Sequence, residues 1–139
     1  MLRRSSLVLA SLCLLVGACA PAATGDSTIS VQLTNNTVEL SQDTVASGRI
    51  VFDTTNTASD LVHEIEVFSG ATAGAILPAA NSVADTTGLI LIDEIEDIVP
   101  GARAELVVDL IPGTYLVVCN LPGHYQLGMW AYLEVTVGS

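Results

Sequence analysis

Apolar and polar residues alternate along most of the chain, which is the pattern of half-buried β-strands. The first such stretch alternates Ile29, Val31 and Leu33 with Ser30 and Gln32. The same pattern predicts further strands at residues 38–40, 50–52, 61–68, 104–110, 114–119 and 129–137. Residues 89–98 mix aliphatic and acidic side chains and are predicted to start as a strand and end as an acidic surface. The chain is therefore expected to contain about eight short strands.

Turn-forming pairs separate these strands, among them Asn35-Asn36, Ser47-Gly48, Pro100-Gly101 and Pro112-Gly113. No segment shows the apolar period of a long helix. The sequence thus predicts an all-β fold, an antiparallel β-sandwich. Two segments break the alternation. Asp53–Asp60 is polar and is predicted to be a loop, and Ala71–Ala80 is predicted to form a short helix that ends near Pro78.

The first residues have the features of an export signal. Arg3 and Arg4 precede an apolar stretch, Leu7–Val16, that is too short to span a membrane. Small residues then lead to Cys19, and this junction resembles a bacterial lipobox, in which the cysteine is lipidated and becomes the first mature residue. We therefore predict a lipoprotein-type signal peptide over residues 1–18.

The alternative is an ordinary secretory signal that is cut near Ala18 or Ala20. Residues 19–27 are small and polar and are predicted to be a tether. Residues 28–139 are long enough for one domain with a real core. The expected location is extracytoplasmic, either periplasmic or at the cell surface, with the lipid anchor as the only membrane contact.

The charge of the chain restricts its partners. All 15 acidic residues follow the signal, and only Arg49 and Arg103 oppose them, so the mature chain carries a net charge of −13. Such a surface repels phosphate backbones, which argues against nucleic-acid binding. It favours a basic protein partner, and the acidic residues expected to steer that partner are Asp93, Glu94, Glu96 and Asp97.

Three side chains that bind soft metal ions lie close together near the C-terminus. Cys119 ends one predicted strand, Met129 begins the next, and His124 lies in the loop between them. Residues 121–124, Leu-Pro-Gly-His, are predicted to form a tight turn that returns the imidazole towards the thiol. A lone cysteine in an oxidising compartment is a liability unless it has a function, and a metal would protect it.

His63 is the candidate for a fourth ligand. By strand parity it shares a face with Ile65 and Val67, so its ring points inward. An ordinary core histidine is the alternative when His63 is considered alone. Together with Cys119, His124 and Met129 it completes two imidazoles, one thiolate and one thioether, the donor set of a blue-copper electron-transfer site. Structural zinc sites use four strong ligands instead.

These residues resemble those of the cupredoxins. The stretch CNLPGHYQLGM has the Cys-x4-His-x4-Met spacing of auracyanins and rusticyanin. Residues 52–65 resemble the family segment that carries the first histidine, and residues 112–115 resemble its tyrosine corner, with Tyr115 four positions before Cys119.

The resemblance implies a Greek-key sandwich, one type 1 copper ion and one-electron transfer. It implies His63, Cys119, His124 and Met129 as the ligands, with His124 the more exposed. Many cupredoxins follow the first histidine with Asn or Ser, which braces the two ligand loops. Glu64 stands there in this chain.

Apolar residues near His124 are expected to form a docking surface for a redox partner, namely Leu121, Pro122, Leu127 and Trp130. The main hypothesis is an electron carrier between membrane-associated redox proteins, and the alternative is copper storage or delivery. Delivery sites tend to have exposed Met and His clusters, which the chain lacks. No histidine remains for a second copper cluster, so an enzyme is not expected.

Overall fold

The computed structural model describes residues 26–138. The predicted signal peptide, Cys19 and residues 20–25 of the tether lie outside this range. The first strand begins at Ser27, one residue before the predicted start of the domain. No helix in the described part of the chain is long and apolar enough to cross a membrane.

Eleven strands and one short helix make up the described chain, as the prediction of an all-β fold requires. The strands are β1 Ser27–Leu33, β2 Val38–Leu40, β3 Thr44–Ala46, β4 Gly48–Asn56, β5 His63–Ser69, β6 Ala79–Ala80, β7 Val83–Ala84, β8 Ile90–Ile98, β9 Arg103–Leu110, β10 Gly113–Val118 and β11 Trp130–Thr136. The helix, α1, spans His124–Leu127 between β10 and β11. Several strands are only two or three residues long, which is why the predicted number was about eight.

The strands form two main sheets and a small hairpin. One sheet has the order β2-β1-β4-β9, the other has the order β3-β11-β10-β5-β8, and β6 pairs with β7. Most pairs are antiparallel, but β1 runs parallel to β4 and β3 runs parallel to β11. The sheets are therefore mixed rather than wholly antiparallel. Residues 34–47, between β1 and β4, provide the crossover that a parallel pair requires.

The main core lies between the two sheets, and the predicted alternation explains it. Ile29, Val31 and Leu33 are at most 1% exposed, whereas Ser30 and Gln32 face solvent. Burying a large aliphatic side chain stabilises the fold by about 1.5–3 kcal/mol. The same inward placement along β4, β9, β10 and β11 makes the core continuous.

The loop predicted for Asp53–Asp60 is wrong over its first half, because β4 continues to Asn56. Two polar residues, Thr54 and Asn56, occupy inward positions and are fully buried, so they concealed the alternation. The Asn56 amide donates hydrogen bonds of 2.8 and 2.7 Å to the carbonyl oxygens of Leu61 and Ile98. These bonds join the end of β4 to the segment before β5 and to the end of β8.

The helix predicted for Ala71–Ala80 is also wrong. The segment is irregular apart from one turn at residues 73–74, and it ends in β6. Gly74 has a φ of +73°, a left-handed conformation that interrupts a helix, and Pro78 lacks the N–H that a continuing helix would need. The predicted tyrosine corner is present, since the Tyr115 hydroxyl donates a 2.9 Å hydrogen bond to the carbonyl of Ile111.

Candidate metal centre

Strand order brings the ligand-bearing segments to one end of the five-stranded sheet. β10 lies between β5 and β11, and Val118 pairs with Glu66 on one side and with Trp130 on the other. His63 begins β5, Cys119 follows the last residue of β10, and Met129 precedes β11. The ligands are therefore neighbours because their strands are neighbours.

The nitrogen and sulfur atoms of three of these side chains converge. Cys119 Sγ lies 3.2 Å from His124 Nδ1 and 3.7 Å from His63 Nδ1. The two Nδ1 atoms lie 3.2 Å apart. A point equidistant from the three atoms lies about 2 Å from each, close to the roughly 2.0–2.1 Å of a zinc–imidazole bond. The three donors thus fit one transition-metal ion.

Met129 is tied to the same site through its backbone. Its N–H donates a 3.2 Å hydrogen bond to the His124 carbonyl, and its carbonyl accepts a 3.0 Å hydrogen bond from the Cys119 N–H. Its side chain is fully buried in the main core. Two imidazoles and one thiol with a buried thioether beside them form the donor set of a type 1 copper ion.

The two histidines differ in exposure. His63 and Cys119 are 0% exposed, whereas His124 is half-buried. His124 begins α1, and its N–H donates a 2.9 Å hydrogen bond to the Leu121 carbonyl, which closes the turn predicted for residues 121–124. His124 is therefore the ligand nearest to solvent, as the resemblance implied.

Glycines allow the chain to enter and leave α1. Gly123 and Gly128 have φ values of +90° and +107°, in the left-handed region. A Cβ atom on Gly128 would lie 3.4 Å from the carbonyl oxygen of Asn36. The N–H of Gly128 instead caps the helix on the carbonyls of His124 and Tyr125.

Burial keeps the metal-free site uncharged at neutral pH. It raises the pKa of the Cys119 thiol to about 11, although hydrogen bonds from the backbone of Glu64 and Leu121 act in the opposite direction. Burial also lowers the pKa of His63, with a further contribution from His124, and it lowers the pKa of His124. A bound cation would replace the thiol proton and compensate the thiolate charge.

Glu64 provides the brace that Asn or Ser provides in many cupredoxins. Its Oε1 atom accepts a 3.1 Å hydrogen bond from the N–H of Asn120, the residue after Cys119. Burial raises the pKa of the Glu64 carboxyl. The bond links β5, which carries His63, to the loop that carries the other ligands.

The residues expected to dock a partner have three kinds of environment. Pro122 and Leu127 are exposed, and Leu127 belongs to the helix of His124. Leu121 is half-buried against the main core. Trp130 packs instead on the outer face of the sheet, with its ring centroid 6.2 Å from that of Tyr125.

The acidic residues predicted to steer a partner all lie on β8 and are exposed, namely Asp93, Glu94, Glu96 and Asp97. β8 is an edge strand of the sheet that carries the ligands, and Ile98 at its end pairs with His63. The acidic surface is therefore continuous with the metal-binding end of the molecule.

The sequence did not indicate the roles of two residues that follow ligands. Asn120 and Tyr125 point away from the metal centre. They bind residues 70–89, the segment that covers the outer face of the sheet. For Asn120 the available signal was strand parity, which places the neighbour of an inward-facing Cys119 on the opposite face. Tyr125 lies in α1, where strand parity gives no signal.

Comparison with known proteins agrees with this architecture. Residues 71–138, just under half of the chain, match the family model of the sulfocyanin (SoxE) domain. The match contains Cys119, His124 and Met129, whereas His63 precedes it. No curated protein sequence matches the chain.

Three solved structures illustrate the likeness in fold. Auracyanin A from Chloroflexus aurantiacus superposes with a TM-score of 0.56 and 25% identity over 81% of this chain and 100% of that one. Reduced auracyanin from Roseiflexus castenholzii superposes with a TM-score of 0.56 and 23% identity over 83% of this chain and 98% of that one. Rusticyanin from Thiobacillus ferrooxidans superposes with a TM-score of 0.60 and 17% identity over 81% of this chain and 79% of that one.

The described part of the chain is therefore a cupredoxin-type β-sandwich, and its C-terminal half is similar to the sulfocyanin (SoxE) domain.

Proposed function

We propose that the protein is a type 1 copper protein that carries single electrons. The observation that carries this proposal is the convergence of His63 Nδ1, His124 Nδ1 and Cys119 Sγ within 3.2–3.7 Å of one another. When bound, copper would supply a one-electron Cu(II)/Cu(I) couple. Auracyanin A, which shares the fold, is described as a blue copper protein.

The surrounding chain supplies what an electron-transfer site needs. His63 and Cys119 are held at the ends of paired strands and excluded from water. Rigid ligands limit the rearrangement that accompanies a change of oxidation state. His124 reaches the surface beside Pro122 and Leu127, so a partner docked there would lie near a ligand. Nothing in this arrangement calls for a catalytic role.

Copper storage or delivery is the alternative. The sequence has two histidines, and its two methionines are Met1 and Met129. All histidine and methionine donors beyond the signal therefore belong, with Cys119, to one site, of which three members are fully buried. A site enclosed in this way favours retention of the ion over its exchange, which supports the electron carrier.

The visible spectrum of the protein loaded with Cu(II) tests the proposal. Charge transfer from the Cys119 thiolate should give an intense colour with one copper per chain. Cys119→Ser should abolish the colour while circular dichroism still shows the β-sandwich. A wild-type protein that binds Cu(II) but stays pale would show that the site is not a blue-copper centre.

We further propose that the electron partner is a basic redox protein steered by the acidic residues of β8. Replacing Glu94 and Glu96 with Gln should slow association at low salt, and added salt should slow the wild type. Glu39→Gln with Glu105→Gln removes the same charge from exposed positions on the other sheet and serves as the control. Equal effects of the two pairs would contradict steering by β8.

The proposal extends to the location of the protein. A lipid on Cys19 would hold the domain at the extracytoplasmic side of a membrane through the short tether. Cys19→Ala should abolish incorporation of labelled fatty acid and release the protein into the soluble fraction. An unchanged distribution would favour an ordinary secretory signal or another means of attachment.

A further inference from the structure

A segment outside the metal centre covers the outer face of the five-stranded sheet. We name residues 70–89, which connect β5 to β8, the strap. Beneath the strap lies a second apolar cluster, separate from the main core. Its buried members are Phe68, Ala84, Leu116, Val118 and Tyr125, with Leu77, Trp130 and Tyr132 packed against them.

Residues that directly follow two of the ligands bind the strap. Asn120, after Cys119, accepts a 2.7 Å hydrogen bond through Oδ1 from the Ala84 N–H. Tyr125, after His124, accepts a 2.7 Å hydrogen bond through its hydroxyl from the Leu77 N–H. The residues that follow Cys119 and His124 thus lie against the strap.

The helix that carries His124 depends on this contact. α1 has four residues, far fewer than a helix needs to be stable on its own. Tyr125 is its one buried residue, and the cap before it, Gly123, has no side chain. Tyr125 is therefore the attachment of α1 to the rest of the protein, and the position of His124 follows from it.

The turn between β6 and β7 contacts the ligand loop, residues 119–129, at a third point. Its central residues, Asn81 and Ser82, have φ values of +53° and +67°. Two residues with positive φ are typical of a type I′ hairpin, in which the second position favours glycine. Ser82 occupies that second position, and its carbonyl accepts a 2.6 Å hydrogen bond from the N–H of Gly123, the residue before His124.

We propose that the strap positions the ligand loop from outside the metal centre, with Tyr125 as the positioning residue for His124. The inference rests on the proposed copper function, since it assigns a role to residues that touch no ligand atom of the ion. It implies that the loop is preformed in the metal-free protein. It also implies that strengthening or weakening the contacts between the strap and the ligand loop changes how firmly copper is held.

Tyr125→Phe is the direct test, and Tyr132→Phe is its matched control. Tyr132 donates a hydrogen bond from its hydroxyl to the Ala75 carbonyl of the same strap, at 2.5 Å, but it lies on β11 and outside α1. In the metal-free protein, Tyr125→Phe should speed amide exchange of Gly123 and Leu127 by roughly tenfold, because the Leu77 N–H loses its buried partner. Tyr132→Phe should leave these two amides unchanged.

The copper-loaded variants should show the same contrast. Tyr125→Phe should release copper to a chelator roughly tenfold faster and shift the visible band, whereas Tyr132→Phe should do neither. Ser82→Gly should act in the opposite direction, since glycine relieves the positive φ of an exposed residue and steadies the turn. It should slow both amide exchange and copper release.

Equal effects of Tyr125→Phe and Tyr132→Phe, or unchanged exchange of Gly123 in the former, would overturn the proposal that Tyr125 positions His124 through the strap. Failure of the proposed function has a different signature. A wild-type protein that is colourless with Cu(II) removes the copper function, whereas amide exchange in the metal-free variants still measures whether the strap holds the loop.

Discussion

The two regions that supply histidines hold them in different ways. His63 begins β5, which pairs with β8 on one side and β10 on the other. His124 lies in a single helical turn between two glycines of positive φ, and side chains of the loop fasten that turn to the strap. The sheet thus places one ligand by strand register, while the loop requires attachments of its own.

This difference predicts which side of the metal centre opens first. Residues inside a sheet open with most of the fold, whereas short loops held by a few contacts open locally at lower free energy. His124 is also half-buried where His63 is 0% exposed. Exchange of copper, entry of small molecules and contact with a partner are therefore expected on the side of His124.

Replacing each histidine with glycine should give the largest effect and test this asymmetry directly. Both His63→Gly and His124→Gly should lose the blue colour, because either change removes one of the side chains that would hold the copper. Added imidazole should restore the colour of His124→Gly, since the vacated position opens to solvent. It should not restore His63→Gly, whose position is enclosed.

Visible absorption during an imidazole titration measures both outcomes. Circular dichroism of the metal-free variants provides the folding control. Restoration of both variants at similar imidazole concentrations would mean that the two sites are equally open, and the contrast between sheet and loop would be lost.

The regions also differ in how much the sequence predicted. Alternation placed His63 on the inward face with Ile65, and the spacing of Cys119, His124 and Met129 identified the ligand loop. The same alternation missed the end of β4, because Thr54 and Asn56 are buried polar residues whose partners are distant in sequence. Local pattern cannot reveal a bond to a residue on another strand.

The strap shows the same limit more strongly. Its small residues led to the prediction of a short helix. Its structure depends instead on the second apolar cluster and on the hydroxyl groups of Tyr125 and Tyr132 beneath it. Similarly, Glu64 stands where many cupredoxins have Asn or Ser, and its carboxylate accepts the Asn120 N–H. Residue identity at one position did not show that this side chain reaches a donor in the ligand loop.

The next prediction concerns Cys119, which joins the two regions at the end of β10. Because burial raises the pKa of the thiol to about 11, it is protonated at neutral pH and must lose its proton when copper binds. The lowered pKa values of His63 and His124 mean that the imidazoles are already neutral there. Copper binding should therefore release one proton per ion.

Between pH 7 and 9, the apparent affinity should rise about tenfold per pH unit. A pH indicator in weakly buffered solution measures the proton, and competition with a chelator measures the affinity. Cys119→Ser is the control and should show no such proton release. Binding without release in the wild type would mean that the thiolate is already formed, contrary to its burial.

Met129, at the end of the ligand loop, is expected to have a moderate effect on the reduction potential. A weak axial thioether tunes the potential more than it holds the ion. Met129→Leu should raise the reduction potential and Met129→Gln should lower it, with one copper retained per chain. A tenfold change in the relative affinity for the two oxidation states corresponds to about 59 mV.

Voltammetry measures the potentials, and copper analysis after mild chelation provides the control. If Met129→Leu loses its copper, or if neither variant moves the potential, Met129 is not the axial ligand of an electron-transfer site. Weakened retention of Cu(I) would instead favour the copper-delivery alternative.

The smallest expected effect concerns the sheet. It is a change in the stability of the folded protein caused by Glu66 on β5. Burial raises the pKa of this carboxyl to about 7, and the charges of Glu64, Glu94 and Glu96 add to the shift. The folded protein therefore binds a proton that the unfolded chain, with its usual pKa of 4.5, releases. Stability should fall as the pH rises from about 4.5 through about 7.

Glu66→Gln removes the buried charge and should stabilise the metal-free protein at pH 8. We expect about 1 kcal/mol, a value discounted because Glu66 is only half-buried and solvent screens its charge. At pH 4.5 and below the gain should disappear, since the wild-type carboxyl is then protonated when folded. Urea unfolding at both pH values measures the change, and Glu39→Gln on an exposed strand controls for net charge. A gain that is the same at both pH values would mean that side-chain packing, rather than ionisation, limits stability at this point of β5.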